Sequence, residues 1–220
     1  MKIFQILIGI SFIALGVSAA AETSVEVKLI AAMEEDRGWC LDLRGRLDNA
    51  QPVGGLHGHT CDSYSGFGIG ADQGYSQEDI FEKDQFRLVV FDKCLTLYEP
   101  KPGSFVSLET CDGRAAQQIA LNDSGQIVPT YMPQLCLTMD PVVQPDGRGT
   151  PLHIMRDVTF ELCDDESSER QLWELRAEWT GPQETTAERT FQANPNAAPP
   201  PNGGRGMGMG MGAMGMGEQP

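Results

Sequence analysis

The residues of this sequence whose types and spacing best suit chemistry are two histidines and an aspartate. His57 and His59 are two positions apart in a short stretch predicted as a strand, so both imidazoles should lie on one face of it. Asp42 follows Cys40 by two residues. Imidazoles and carboxylates can hydrogen-bond a polar ligand or coordinate a metal ion. Because Asp62 is the one further ligand evident nearby, we expect no metal site and no cofactor.

Catalytic motifs are absent from the sequence. It contains no Gly-x-Ser-x-Gly nucleophile elbow, no His-Glu-x-x-His motif and no phosphate-cradling glycine loop. The carboxylate pair Asp164-Asp165 lies in a charged stretch, where a solvated surface is the ordinary role. We therefore expect a protein that is not an enzyme.

A motif of cysteine, leucine, a small polar residue and a large apolar residue occurs three times, and one further cysteine follows each copy. The sequence therefore predicts a repeat protein whose units each close on their own disulfide. No Cys-x-x-Cys pair exists, which disfavours a metal-bound cysteine cluster. The copies are Cys40-Leu41-Asp42-Leu43, Cys94-Leu95-Thr96-Leu97 and Cys136-Leu137-Thr138-Met139, and the predicted pairs are Cys40–Cys61, Cys94–Cys111 and Cys136–Cys163.

Alternating apolar and polar residues predict that the units consist of short β-strands. The alternation is clearest over residues 105–111, and Asn122-Asp123-Ser124-Gly125 has the composition of a hairpin turn. Residues 78–81 are also predicted as a strand. No segment has a sustained apolar period of 3.6 residues, so the domain should be nearly all β.

The two ends of the sequence differ from its middle. Residues 1–21 have the positive start, apolar run and small residues of a secretory signal peptide, and the run is too short for a comfortable membrane span. Residues 179–220 are rich in proline, glycine and methionine, which predicts a disordered tail. One domain, residues 22–178, lies between them. These features indicate a secreted or periplasmic protein with no membrane insertion after signal cleavage, in a compartment where disulfides persist.

The charge balance is strongly acidic. The chain has 16 lysines and arginines against 31 aspartates and glutamates, a net charge of −15. Nucleic-acid binding needs a basic footprint that meets the phosphates, and docking on anionic lipid needs one too. The composition therefore argues against both partners.

The three units resemble those of the ricin B-type β-trefoil lectins, in which each unit closes with a second cysteine and a Gln-x-Trp motif. Gln171-Leu172-Trp173 matches that motif, Gln117-Gln118-Ile119 matches it with isoleucine for tryptophan, and Asp79-Ile80-Phe81 is assigned to the same slot in the first unit. The resemblance covers about residues 24–176. It implies an all-β fold, a β-trefoil of three pseudo-repeats with one disulfide in each and the motif's aromatic residues in a shared core.

The resemblance also implies one shallow sugar site in each unit. In the first unit Asp42 takes the position of the carboxylate that binds vicinal hydroxyls, His59 that of the stacking ring, and His57 and Glu78 those of polar contacts. The other two units depart from the pattern, because threonine replaces the aspartate and glutamate replaces the ring. Their corresponding residues are Thr96, Ser107, Glu109 and Ala116 in the second unit, and Thr138, Thr159, Glu161 and Arg170 in the third.

These observations favour a non-catalytic, monomeric carbohydrate-binding module that binds sugar mainly in its first repeat. Two alternatives remain open. A degenerate trefoil can serve protein–protein interaction instead, and the tail carries methionines at 207, 209, 211, 214 and 216, whose thioethers suit Cu(I). A carboxylate such as Asp42 can also merely stabilise a turn.

Overall fold

A computed structural model describes residues 22–45, 49–66, 68–147, 149 and 151–177. The predicted signal peptide and tail, including the methionine-rich stretch, lie outside these residues. Within them, thirteen strands and one short α-helix, α1 (Gln77–Lys83), are formed. The strands are β1 (Ser24–Leu29), β2 (Trp39–Leu43), β3 (Leu56–Thr60), β4 (Tyr75–Ser76), β5 (Arg87–Leu88), β6 (Lys93–Thr96), β7 (Ser107–Thr110), β8 (Ile119–Leu121), β9 (Ile127–Pro129), β10 (Leu135–Met139), β11 (Gln144–Pro145), β12 (Ile154–Leu162) and β13 (Trp173–Arg176).

Each cysteine motif begins an antiparallel hairpin, and the three hairpins share one register. Cys40 is paired with His59 across β2 and β3, Cys94 with Glu109 across β6 and β7, and Cys136 with Glu161 across β10 and β12. The second cysteine follows two residues after each of these partners. A common register therefore places the two cysteines of every unit next to each other.

The three predicted disulfides are confirmed. The Cα atoms of the paired cysteines are 4.9 Å apart in the first unit and 5.0 Å apart in the other two. Sequence separations are 21, 17 and 27 residues, so the third unit has the longest middle segment. Closing loops of this size stabilises a fold by roughly 3 kcal/mol each in the chain-entropy model.

A buried glutamine repeats the same hydrogen bonds in every unit. Gln117 Oε1 accepts from the backbone N–H of the residue after the second cysteine, and Nε2 donates to the carbonyl of the residue before it and to Thr96 Oγ1. Gln171 does the same with Asp164, Leu162 and Thr138. Gln73 makes the third copy, with Asp62, Thr60 and Asp42. All three glutamines are fully buried.

The assignment of Asp79-Ile80-Phe81 to the Gln-x-Trp slot is therefore wrong. The motif of the first unit is Gln73-Gly74-Tyr75, with tyrosine for tryptophan. Tyr75, Ile119 and Trp173, the last residues of the three motifs, all lie in one buried core. This threefold arrangement confirms the expected β-trefoil.

The prediction of a strand over residues 78–81 is also wrong, since they form part of α1. Ser76 caps the helix by accepting a hydrogen bond from the Asp79 N–H at 3.2 Å. Glu78 and Asp79 lie in the first turn, where carboxylates favour the positive end of the helix. Asp84 ends it in the left-handed conformation, with φ of 51°. At just under two turns, the helix is too short for its apolar period to be visible in the sequence.

The first and last strands close the domain. β1 pairs with β13, β2 and β4, and its Glu26 is completely buried. Arg176 on β13 donates to Glu26 Oε2 from Nε at 2.9 Å and from Nη2 at 2.7 Å, which balances the buried charge. Within the described residues, no helix has the length and apolar character needed to traverse a bilayer.

Candidate functional site

The carboxylate and the two imidazoles of the first unit lie together, as predicted. Asp42 on β2 is opposite His57 on β3. Asp42 Oδ1 is 3.6 Å from His57 Nε2, and Asp42 Oδ2 is 3.4 Å from His59 Nδ1. The two rings stack, with centroids 5.4 Å apart and planes inclined by 14°. Strand periodicity alone was enough to predict this shared face.

Gly58 allows the opposite face of β3 to pack closely. A Cβ atom on Gly58 would lie 2.3 Å from Cε of Met139, so a side chain there would displace a buried core residue. The two histidines are therefore held on a strand whose other face is fixed against the third unit.

Asp42 and His59 border a cavity of about 230 Å³, here called the first-unit cavity, whereas His57 lies beside His59 and does not line it. It is deeper than the shallow site that the sequence predicted, because both Asp42 and His59 are about 95% buried. No lysine or arginine is among the described residues around it. They are Asp42, Gly45, His59, Asp62, Asp72, Asp146, Gly149 and His153.

Glu78, predicted as a polar contact, is not among these residues and is exposed on α1. Its assignment followed from the wrong register of the first-unit motif. Once Gln73 is recognised as the motif glutamine, the residue before it is Asp72, which does border the cavity. Asp72 thus takes the position that was assigned to Glu78.

The third unit supplies the other wall of the cavity, and the sequence did not predict this contact between units. Asp146, Gly149 and His153 belong to the long segment between β11 and β12. His153 is half-buried, and its Nε2 is 3.2 Å from the Tyr64 hydroxyl. The one sequence signal for this wall was the longer middle of the third unit.

Burial sets the electrostatics of the cavity. It raises the pKa of Asp42 well above its usual value, and the nearby Asp72 and Asp62 carboxylates raise it further against the opposing effects of His59 and Gln73. Burial also lowers the pKa of His153 to about 4, with His59 and Arg37 contributing, so that ring is neutral at pH 7. The cavity therefore concentrates acidic oxygens and imidazole nitrogens in a poorly solvated space.

No family model and no curated protein matches the chain. The β-trefoil lectin of the Vibrio vulnificus hemolysin/cytolysin, solved with N-acetyl-D-lactosamine bound, is 15% identical to this chain and has a TM-score of 0.44. The match covers 74% of this chain and 99% of the lectin chain. An agglutinin from Abrus precatorius is 15% identical and has a TM-score of 0.45, and the match covers 70% of this chain and 47% of the agglutinin chain. A chain of the cytolethal distending toxin of Actinobacillus actinomycetemcomitans is 19% identical and has a TM-score of 0.47, and the match covers 71% of this chain and 92% of the toxin chain.

The fold is a β-trefoil, as its three hairpins of common register show. At these identities the likeness concerns the fold alone, so the site must be argued from this trefoil's own residues. The hairpin registers place Ser107 opposite Thr96 and Thr159 opposite Thr138, which are the places that His57 and Asp42 hold in the first unit. The second and third units of the trefoil therefore keep the hairpin but lack its carboxylate.

Proposed function

We propose that the trefoil is a carbohydrate-binding module of an exported protein and that the first-unit cavity is its sugar site. The observation that carries the proposal is the combination of Asp42 with a cavity at the one unit that retains a carboxylate. Asp42 Oδ2 already accepts from Gln73 Nε2 at 2.6 Å, so the carboxylate is held in place. Its remaining acceptor capacity suits the paired hydroxyls of a sugar ring.

The remaining groups in the cavity have complementary roles. The His59 ring, held by the His57 ring stacked beside it, offers a flat surface for sugar C–H groups. Asp72 replaces Glu78 as the further acceptor. The volume is below the roughly 300–1,000 Å³ typical of drug-sized ligands, which suits a single ring rather than an extended oligosaccharide. Since the donors here are few, the sugar must supply most of the hydrogen-bond protons, as a polyol does.

A glycan array tests the proposal on the full chain with its three disulfides intact. The panel should include N-acetyl-D-lactosamine, the sugar in the Vibrio lectin structure. Asp42→Asn keeps the shape of the side chain and its bond to Gln73 but removes the charge, so we expect sugar binding to fall by at least about 10-fold, the loss of one charge-assisted hydrogen bond. Thr96→Ser changes the equivalent position of the second unit and should leave sugar binding unchanged.

Two results would refute the proposal. One is folded protein that binds no glycan, which would favour the alternative of a protein-binding trefoil. The other is sugar binding that Asp42→Asn leaves intact, which would move the site away from the first-unit cavity.

A further inference from the structure

One imidazole nitrogen in the first-unit cavity has no hydrogen-bond partner in the part of the chain that the structure describes. His59 Nδ1 is 2.9 Å from the Thr60 carbonyl, and that contact requires the proton to be on Nδ1. In the neutral ring the lone pair is then on Nε2, which is buried and has no hydrogen-bond partner among the described residues. Asp146 Oδ2 lies 3.5 Å from it, so a positive charge at this nitrogen, either a bound cation or a second ring proton, is favoured. A carbonyl that fixes the tautomer is the usual outer partner of a metal-binding histidine.

Two further ligand groups meet this nitrogen. Ligand atoms of His59, Asp62 and His153 all lie within 4.8 Å of one another. Ligands at about 2.0–2.2 Å from a tetrahedral zinc ion stand roughly 3.3 Å apart, so small side-chain rotations bring these three into range. The three residues come from β3, from the turn after Cys61 and from the segment before β12, so the folded trefoil alone brings them together.

Glycines leave room around the ligands. A Cβ atom on Gly70 would lie 2.7 Å from Asp62 Oδ2 and 2.8 Å from Asp72 Oδ1. A Cβ atom on Gly149, where φ is +83°, would lie 2.3 Å from His153 Cδ2. The backbone therefore passes close to the ligand side chains from two sides without filling the space between them.

We propose that the first-unit cavity binds a divalent transition-metal cation of the zinc type through His59, Asp62 and His153. Two imidazoles with one carboxylate suit zinc, whereas calcium and magnesium prefer oxygen ligands throughout. Three protein ligands leave a fourth position open towards the cavity. The proposal concerns the same cavity as the proposed function, but it does not require that a sugar binds there.

The charge of the cavity supports a cation. Four aspartates border it and no lysine or arginine among the described residues does. A divalent ion held by His59, Asp62 and His153 would attract the nearby Asp146 carboxylate and stabilise the ionised form of Asp42. Asp42 and Asp72 would then accept hydrogen bonds from a water or a hydroxyl on the fourth position.

Zinc titration calorimetry of the full, metal-free chain without sugar is the test. We expect one zinc ion per chain in the unmodified protein. His153→Gln and Asp62→Asn should each weaken zinc binding by more than about 100-fold, because losing a ligand costs more than losing an outer partner, at roughly 10–100-fold. Asp112→Asn is the matched control, since Asp112 follows the second cysteine of its unit as Asp62 does, and it should leave zinc affinity within about 3-fold.

Cobalt provides a direct spectroscopic readout. Co²⁺ in the unmodified chain should give visible d–d bands of low-symmetry nitrogen and oxygen ligation, and His153→Gln should abolish them. Thermal unfolding in chelator, equal for the unmodified chain and the variants, would show that the losses are not losses of folding. Zinc bound equally by the unmodified chain, His153→Gln and Asp62→Asn would overturn the proposal, and so would no zinc binding at all. Zinc uptake without glycan binding refutes the sugar proposal alone, and chelator-resistant glycan binding without zinc uptake refutes this one alone.

Discussion

Replacing Gln117 with leucine should destabilise the trefoil by about 3 kcal/mol. Leucine keeps the bulk of the side chain but removes both ends of the amide. Oε1 accepts from the Asp112 and Gly113 N–H groups at 2.9 and 3.2 Å, and Nε2 donates to the Thr110 carbonyl and Thr96 Oγ1 at 2.8 and 3.2 Å. The substitution therefore breaks four hydrogen bonds at one fully buried residue.

The magnitude follows from which partners water can reach afterwards. A hydrogen bond contributes about 0.5–1.5 kcal/mol net, and a buried group left without a partner costs about 1–3 kcal/mol. Asp112 is exposed, so water can replace the amide at its N–H, whereas Thr96 is completely buried. One penalised group and three net losses sum to about 2.5–7.5 kcal/mol. Because water can replace the amide at the exposed partners, the lower end of that range, about 3 kcal/mol, is expected.

Urea unfolding followed by tryptophan fluorescence measures this loss as a lower midpoint with an unchanged slope. Gln118→Ala is the control, because this neighbouring side chain is only half-buried, and it should cost less than about 1 kcal/mol. A loss below about 1 kcal/mol for Gln117→Leu at constant slope would refute the view that the buried amides hold the units together.

Three further outcomes are expected. Changing both cysteines of the second-unit disulfide to serine should lower the free energy of unfolding by roughly 3 kcal/mol, measured by urea unfolding; no loss would contradict this. Arg176→Met should cost about 3–5 kcal/mol because it leaves Glu26 charged and buried, and adding Glu26→Gln should recover part of that loss in a double-mutant cycle. Although burial opposes it, hydrogen bonds from Lys83 and Arg87 lower the pKa of Asp79; its stabilisation is thus present above the unfolded pKa and lost as pH falls below about 4. Asp79→Asn should destabilise the protein at pH 7 but progressively less in acid, and a pH-independent difference between the two proteins would contradict this.

The disulfides and hairpins could be predicted because they follow from local spacing. Cysteines two residues beyond a paired position must meet once the hairpin forms, whatever lies in the loop. Alternation likewise placed His57 and His59 on one face of β3. Each of these predictions depended on residues within one hairpin.

The rest of the site depended on contacts between segments distant in sequence. Gln73 was missed because it follows its second cysteine by twelve residues, against six for Gln117 and eight for Gln171, and because tyrosine ends its motif. Asp72 was lost with it. Asp146 and His153 belong to the third unit but contact the first. A sequence pattern within one unit cannot predict such a contact between units.

In each unit, the oxygen that accepts the hydrogen bond of the buried glutamine fixes the fold, whether or not that oxygen carries a charge. Gln73, Gln117 and Gln171 each need only an oxygen acceptor two residues after the first cysteine, and a carboxylate or a hydroxyl satisfies that need equally. Threonine in the second and third units accepts this hydrogen bond but has no negative charge to offer a ligand. In each unit this position can therefore change between threonine and aspartate without loss of the hydrogen bond to the buried glutamine. Thr96→Asp should fold with its new carboxylate already held by Gln117, as the first step towards a second site.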